Sequence, residues 1–543
     1  MKKYALISVS DKTDIIPFAR AIVKAGYEII STGGTAKALQ TENIPYVPIQ
    51  EITGNPESFD GRMKTISFEI ESALLYDRNN PQHLKEAKKL KIKQVDIVVC
   101  NLYPFEKTIA DKKVSYKKAI ENIDVGGPTM IRSAAKNGLV VVIDPTDYPT
   151  VIDALQKKTF SPKLIRYLQA KAFDHLTFYD SQIAWYFRSQ MQETLHQVPS
   201  PFKGEGQGEG KKVAFEIPSM FPKEITIPGR KLLDLRYGEN PHQKGAVYTR
   251  PNTQTPFQHL TKHWGRDLSL INVTDINAGL ESVRVFTEPA AVIIKHNSPC
   301  GVALGKTTAE ALARAIESDP ESAFGGIVVL NKPMDIAAAK VIGGFKDAKL
   351  GNMDITAAPH IKKDALEFLQ KVRKSMGIYT FGDIPTLSDQ WNLKSLDGGF
   401  VLQTADVDID ESFKQWQFVT KNKPSKQQLQ QMQIGWKFVT KIKSNTILVV
   451  DEKLPMTRGI GAGQTSRVRS TKIALEQAGK RTKGGILVSD SFFPFPDSVE
   501  LAAKHGIAAI IQQGGSINDQ KSIDAANKAG IPMVFTGRRA FWH

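Results

Sequence analysis

Short apolar runs that close on small polar residues, each followed by a segment of helical spacing, recur along most of this chain and limit it to a layered α/β fold. YALISVS ends in serine, IIPFARAIVKAGY repeats its apolar residues at helical spacing and stops on glycine, and YEIISTGG closes on a glycine-rich turn. VDIVVCNLY and LVVVIDP add two more strands. Strands separated by helices of this length predict a mainly parallel sheet, with ligands at the carboxyl ends of its strands.

The pattern stops between residues 197 and 212, where QVPSPFKGEGQGEGKK has glycine, proline and charge but almost no apolar residues. We therefore expect a domain at 1–196, a flexible linker at 197–212 and a second domain at 213–543. In the second domain AAVIIKH, GGIVVLN, TILVVD, GGILVSD and AAIIQQGG alternate with helices such as AEALARAIESD and SVELAAKHG. Its halves, 213–385 and 386–543, are expected to be structural duplicates, although no sequence repeat joins them. A chain of 543 residues exceeds what one core organises, which fits two or more domains.

Composition excludes several classes. Hydrophobic residues make up 41% of the chain, and no apolar run approaches the ~20 residues needed to cross a bilayer. In MKKYALISVSDKT, Asp11 and Lys12 interrupt the apolar stretch before a signal-peptide core forms, so the cytoplasm is the expected compartment. Two cysteines, Cys100 and Cys300, are too few for a disulfide framework or a cysteine zinc site. The net charge of +16 is scattered through helical segments such as HLKEAKKLKIKQ, without interleaved aromatics. That argues against nucleic acid and leaves anionic small molecules as the use for a positive field.

Several stretches carry candidate chemistry. SVSDKT (8–13) and STGGTAK (31–37) each end a strand with hydroxyls, and the second adds two glycines at the mouth of a helix, where backbone N–H groups meet an anion favourably. The spacing matches neither a Walker loop nor a dinucleotide fingerprint. DGRMKT (60–65) offers Arg62 and Lys64, NLYPF (101–105) offers Tyr103, and ENIDVGGPTMIRSAAKN (121–137) carries Asp124, Arg132 and Lys136. IKHNSPCG (294–301) brings an amine, an imidazole, a carboxamide and a thiol together after an apolar run. A cysteine nucleophile, a metal ligand set and an acid/base pair are the three readings of that stretch.

In order along the chain, SVSDKT, STGGTAK, GRMKT, CNLYPF, the Asp124 segment, LRYGENPHQ, KHNSPCG, SAFGGIV, SNTILVV, GIGAGQTSRVRSTKIA, SDSFFPFPDS and RRAFWH resemble the bifunctional purine-biosynthesis family. That family joins an IMP cyclohydrolase domain to an aminoimidazole carboxamide ribonucleotide (AICAR) formyltransferase domain. The resemblance implies a methylglyoxal-synthase-like parallel-sheet domain followed by two cytidine-deaminase-like subdomains without zinc. It implies formyl transfer from 10-formyltetrahydrofolate to AICAR, giving FAICAR and tetrahydrofolate, and then dehydrative closure of FAICAR to IMP. It also implies a homodimer, a reduced-folate cosubstrate, no metal in the chemistry, and neither nucleic acid nor membrane as partner.

Carried over position by position, the resemblance implies Lys295, His296 and Asn445 as the formyl-transfer groups. Imidazole suits the removal of a proton from a weakly nucleophilic amine, and ammonium suits an oxyanion or the leaving folate nitrogen. Asn445 would hold the formyl oxygen or orient the histidine, and Asp354 would approach the folate. Arg236, Tyr237, His242, Ser466, Arg467, Asp497, Arg539 and His543 are implied around the nucleotide and folate. Phe324, Gly325 and Phe492 would flank their rings. For ring closure the implied residues are Lys64, Tyr103, Asp124 and Lys136, with Ser10, Lys12, Thr32, Gly33, Gly34, Thr35, Arg62 and Thr65 around the phosphate and ring.

There is one departure. Where the family continues GRVKTLHPxIHGGIL, this chain reads GRMKTISFEIESALL, placing Ser67 and Phe68 at the usual His-Pro. The alternative this raises is a formyltransferase with impaired cyclohydrolase. Two rivals stand further off. A zinc deaminase needs a second cysteine after Pro299-Cys300, where Gly301, Val302 and Ala303 follow instead. A basic RNA-binding scaffold gains only from net charge.

Overall fold

The computed structural model describes residues 2–59, 62–111, 113–196, 221–251, 253, 255–347, 351–385, 391–406 and 409–543. Two compact units result, Met1–Arg230 with Arg250–Thr253, and Lys231–Thr249 with Gln254–His543. The division thus falls after Arg230, and the expected linker at 197–212 lies outside the described residues. No described helix is long and apolar enough to cross a membrane.

In the first unit β1 (Lys3–Val9), β2 (Tyr27–Ser31), β3 (Tyr46–Pro48), β4 (Gln94–Asn101) and β5 (Val140–Val142) form one parallel sheet in the order β3-β2-β1-β4-β5. The predicted strands YALISVS, YEIISTGG, VDIVVCNLY and LVVVIDP all fall within it. Continuous apolar runs are needed because helices cover both faces; Leu6, Ile7, Ile29, Ile30, Ile97 and Val98 are fully buried. Helix α1 (Ile15–Lys24) buries Ile15, Phe18, Ala19 and Ile22, the i, i+3, i+4, i+7 stripe, and Gly26 at φ 90° ends it. Ile7 pairs with Ser31 and Val9 with Asn101, so the loops after β1, β2 and β4 leave from one edge.

The second unit holds two six-stranded mixed sheets. The first contains β6 (Thr261–Trp264), β7 (Ala290–Lys295), β8 (Ser298–Leu304), β9 (Ile327–Leu330), β10 (Ile355–Ala358) and β11 (Gly377–Thr380), in the order β8-β7-β9-β10-β11-β6. The second contains β12 (Gln417–Phe418), β13 (Ile447–Val450), β14 (Thr457–Gly461), β15 (Ile486–Ser489), β16 (Ala509–Gln512) and β17 (Met533–Phe535), in the order β14-β13-β15-β16-β17-β12. The two orders are the same permutation, and the parallel and antiparallel pairings correspond strand for strand. The duplication extends to the helices that precede the hairpins. α5 (Leu270–Val283) and α7 (Lys426–Val439) both start on a serine capping box, Ser269 with Asn272 and Ser425 with Gln428.

The sheets meet through β8 and β14. Ala303 bridges Met456 antiparallel, and the Leu304 N–H donates to the Pro455 carbonyl at 2.8 Å. Four antiparallel neighbours therefore run β7 up, β8 down, β14 up and β13 down. The carboxyl end of β7 and the amino end of β13 consequently lie on the same edge of the joined sheet. That edge also receives the amino ends of β9, β10 and β11 and the carboxyl ends of β15, β16 and β17. In the parallel first unit the candidate loops leave from carboxyl ends; here the antiparallel junction brings the candidate residues to both kinds of strand end.

Candidate active sites

In the first unit the loops after β1 and β2 converge. Asn101, the last residue of β4, accepts the Ser10 and Asp11 N–H groups at 2.6 and 2.9 Å and fixes the Ser10–Lys12 loop. Helix α2 (Gly33–Thr41) starts immediately after Thr32. A side chain at Gly33 would come within 3.9 Å of the Lys64 Nζ, and one at Gly34 within 3.5 Å of the Lys12 Nζ. Two ammonium groups and the free N–H groups of a helix start therefore face one small space, which suits a phosphate. Thr32 Oγ1 is buried there without a hydrogen-bond partner among the described residues. Thr35 turns inward instead, accepting the Val9 N–H at 3.0 Å and donating to the Val9 carbonyl at 3.1 Å.

Lys64 pairs with Glu57 at 2.7 Å and Arg62 with Glu121, so both cations of GRMK are held by carboxylates. Thr65 is buried against Gly126 at the start of α4 (Gly126–Lys136). Asp124 caps that helix, accepting the Gly127 N–H at 2.8 Å and the Tyr103 N–H at 3.4 Å, and its own N–H donates to the Tyr179 hydroxyl at 2.7 Å. Burial pushes its carboxyl up, with the two N–H donors opposing. Half-exposed Tyr103 thus joins Asp124, whereas Lys136 sits on the last turn of α4, roughly 15 Å of helix axis from Gly126.

The departing segment builds helix α3 (Phe68–Leu75), with the Ser67 hydroxyl capping the Ile70 N–H at 3.1 Å. Glu71 packs inward against α4, one oxygen accepting from the Ser133 hydroxyl at 2.6 Å and the other buried without a partner among the described residues. Burial raises its pKa, opposed by the Ser133 hydrogen bond. A raised folded-state pKa gives stability that is present below the unfolded value and lost as pH rises through the folded one. Glu71→Gln should therefore melt above the parent by roughly 2 °C at pH 8 and level with it near pH 4, as measured by thermal scans across pH.

In the second unit Lys295 and His296 sit at the tip of the β7–β8 hairpin. Lys295 pairs with Ser298, and the two loop residues, His296 and Asn297, have φ of 55° and 61°. Positive φ at both positions is what a type I′ two-residue hairpin loop requires, and at least one glycine normally helps to supply it. A non-glycine residue there costs about 1 kcal/mol, a strain typical of functional sites. The Lys295 Nζ donates to the Phe324 carbonyl at 2.8 Å and lies 5.9 Å from that exposed ring. Gly325 follows at φ 69°.

Further along the same edge Asp354 pairs with Arg266 at 2.7 Å. Arg266 and Arg236 line an open cleft of about 790 Å³ with Lys262, His263, Trp264 and Lys374. Arg236 also donates to the Tyr237 hydroxyl at 2.9 Å, and His242 is exposed nearby in sequence.

Asn445 lies just before β13. Its Oδ1 accepts from Arg467 Nη2 at 2.7 Å and its Nδ2 donates to the Gln464 carbonyl at 2.9 Å. Arg467 starts α8 (Arg467–Ala478) after Ser466 and is buried, its guanidinium engaged by Asp490 and by Ser489 Oγ at 3.0 Å. Fully buried Asp490 also accepts from the Ser444 hydroxyl at 2.6 Å and the Thr446 N–H at 3.0 Å. The Ser444 N–H donates to the Trp542 carbonyl at 2.9 Å, which ties the last residues to this loop. Asn445, Gln464, Phe541 and His543 line a cavity of about 290 Å³, and Arg539 stacks 4.6 Å from the Phe541 ring. Phe492 is half-buried and Asp497 opens the next helix, both after β15.

Asn101, Asp275 and Asp490 are the organising groups that sequence reasoning missed. The Cys300 thiol donates to the Ile293 carbonyl at 3.4 Å, and burial pushes it up to about 12, which disfavours the nucleophilic thiolate. Among the described residues no three His, Cys, Asp or Glu side chains gather where a metal ion could be held.

Residues 134–477 match the family model described as AICARFT/IMPCHase bienzyme, and residues 14–129 match the MGS-like domain. The chain belongs to the AICARFT/IMPCHase bienzyme family. Bifunctional purine biosynthesis protein PurH of Oceanobacillus iheyensis is 41% identical, and the proteins of that name in Bacillus cereus and Bacillus mycoides are 42% identical, each over 100% of both chains. The full-length match to these relatives spans both units.

Proposed function

We propose that the second unit transfers a formyl group from 10-formyltetrahydrofolate to the amine of AICAR, and that the first closes the resulting FAICAR to IMP with loss of water. Membership in the bienzyme family over the whole chain carries the pair of activities. The Lys295–His296 hairpin tip, on the same sheet edge as Asn445, supports the assignment of the first reaction.

In that reading His296 takes the amine proton as nitrogen attacks the formyl carbon. Lys295 and the remaining N–H of Asn445 meet the oxyanion, and the folate nitrogen leaves after protonation. Asp354 approaches the folate, and the cationic cleft that Arg236 lines, with Tyr237, His242, Arg467, Arg539 and His543, takes the nucleotide. In the first unit Lys12, Lys64 and the start of α2 take the phosphate. Asp124, Tyr103 and Lys64 then manage the protons as the carboxamide nitrogen attacks the formyl carbon and water departs, while Lys136, at the far end of α4, stands apart from this cluster.

The Ser67 cap gives the departing segment a regular helix start while Lys64 stays beside Gly33, which supports working ring closure over the impaired alternative. Action as a homodimer in the cytoplasm completes the proposal. An assay with AICAR and 10-formyltetrahydrofolate that follows FAICAR and IMP separately tests it. Both products should appear in sequence; failure to form FAICAR would refute the formyltransferase assignment, and FAICAR accumulating without IMP would refute ring closure.

A further inference from the structure

The His296–Asn297 tip has no glycine to ease its two positive φ angles, so something outside the hairpin holds it. That support comes from α5. Asp275, 4% exposed, accepts the Asn297 N–H at 2.6 Å, and the His296 N–H faces the same carboxylate. With its amide turned to donate, the Asn297 side chain reaches the Thr274 hydroxyl at 2.8 Å and the Thr274 carbonyl at 3.2 Å. Two consecutive residues of α5 therefore hold Asn297, the second residue of the loop, by both its backbone and its side chain. Asp275 also feels the positive charge of Lys443, the residue before Ser444 and Asn445. Its helix is fixed by the Ser269 capping box beside Tyr237, whose carbonyl accepts the Leu270 N–H at 3.1 Å.

We propose that Asp275 is a positioning residue for formyl transfer: its carboxylate locks the His296–Asn297 tip in the left-handed conformation that presents the imidazole and Lys295 at the sheet edge. This rests on the reading of His296 as the base. A helix-borne carboxylate suits the task because it accepts the Asn297 N–H from a packed position and moves only with the helix. A loop free to leave positive φ would carry the imidazole away by an ångström or more, enough to cost on the order of 100-fold in rate.

Asp275→Ala should lower kcat for formyl transfer by at least ~30-fold, with KM for AICAR and formyl-folate within about threefold and FAICAR closure unchanged. Asp275→Asn, which keeps an acceptor oxygen, should retain most of kcat. Adding Asn297→Gly to Asp275→Ala should restore kcat to within about fivefold, since glycine holds positive φ without a partner. Near-parental kcat in Asp275→Ala, or a rise in KM alone, would overturn the proposal. If Asp275→Ala does not fold, the double variant decides: folded and active supports the proposal, and unfolded or inactive overturns it. His296→Ala measured alongside separates the two ideas. Formyl transfer surviving in that variant sinks the base assignment, whereas its loss there with full activity in Asp275→Ala sinks only the role of Asp275.

Discussion

Replacing His296 with alanine is expected to reduce formyl transfer by about 10³-fold while FAICAR closure stays within about twofold of the parent. The amine of AICAR is a weak nucleophile because the neighbouring carboxamide withdraws its electrons, so a positioned base is worth roughly 10²–10⁴ in rate. Ring closure should survive because the groups proposed for it belong to the other compact unit. Cys300→Ser, four residues away on the same hairpin, supplies the contrast. Its thiol is half-buried, bonded to the Ile293 carbonyl and pushed up by burial, so both activities should stay within about twofold. Steady-state rates with AICAR and 10-formyltetrahydrofolate, and separately with FAICAR, check all four expectations. Loss of both activities in His296→Ala would mean that the units do not divide the chemistry as proposed.

What could be read in one dimension was whatever depends on neighbours in sequence. Continuous apolar runs closed by small polar residues located the strands of the parallel sheet, because a strand covered on both faces has to be apolar throughout. The Gly33-Gly34 turn was legible because glycine next to a strand end is a local signal. The duplication in the second unit was expected without a sequence repeat to support it. Strand order depends on which edges pair, and many unrelated apolar runs satisfy the same pairing. Asp275 and Asp490 were invisible for a related reason. Each looks like an ordinary aspartate, one in a helix and one after a strand, and only the fold shows that both are buried against loops at distant positions. Thr35 illustrates the converse: a hydroxyl in the right motif turns inward because β1 needs it for its own N–H and carbonyl.

Asp490→Ala should cost the second unit about 3–5 kcal/mol, the largest stability loss expected from a single change at either site. Asp490 is fully buried and Arg467 nearly so, and removing the carboxylate leaves a guanidinium with little access to water. The Ser444 hydroxyl and Thr446 N–H lose their acceptor in the same step. Denaturant unfolding should show the second unit's transition moved to lower concentration and the first unit's unmoved. Asp490→Ala combined with Arg467→Met removes the stranded charge and should recover more than half of the loss. Formyl transfer should not recover with it, because the Asn445 amide is oriented by Arg467 at its oxygen and by Gln464 at its nitrogen. With the arginine gone, that amide is free to rotate its one available N–H away from the developing oxyanion. A double variant that regains both stability and rate would show that Asn445 needs no such orientation. One that stays unstable would show that the hydrogen bonds to Ser444 and Thr446, rather than the charge pair, hold this loop together.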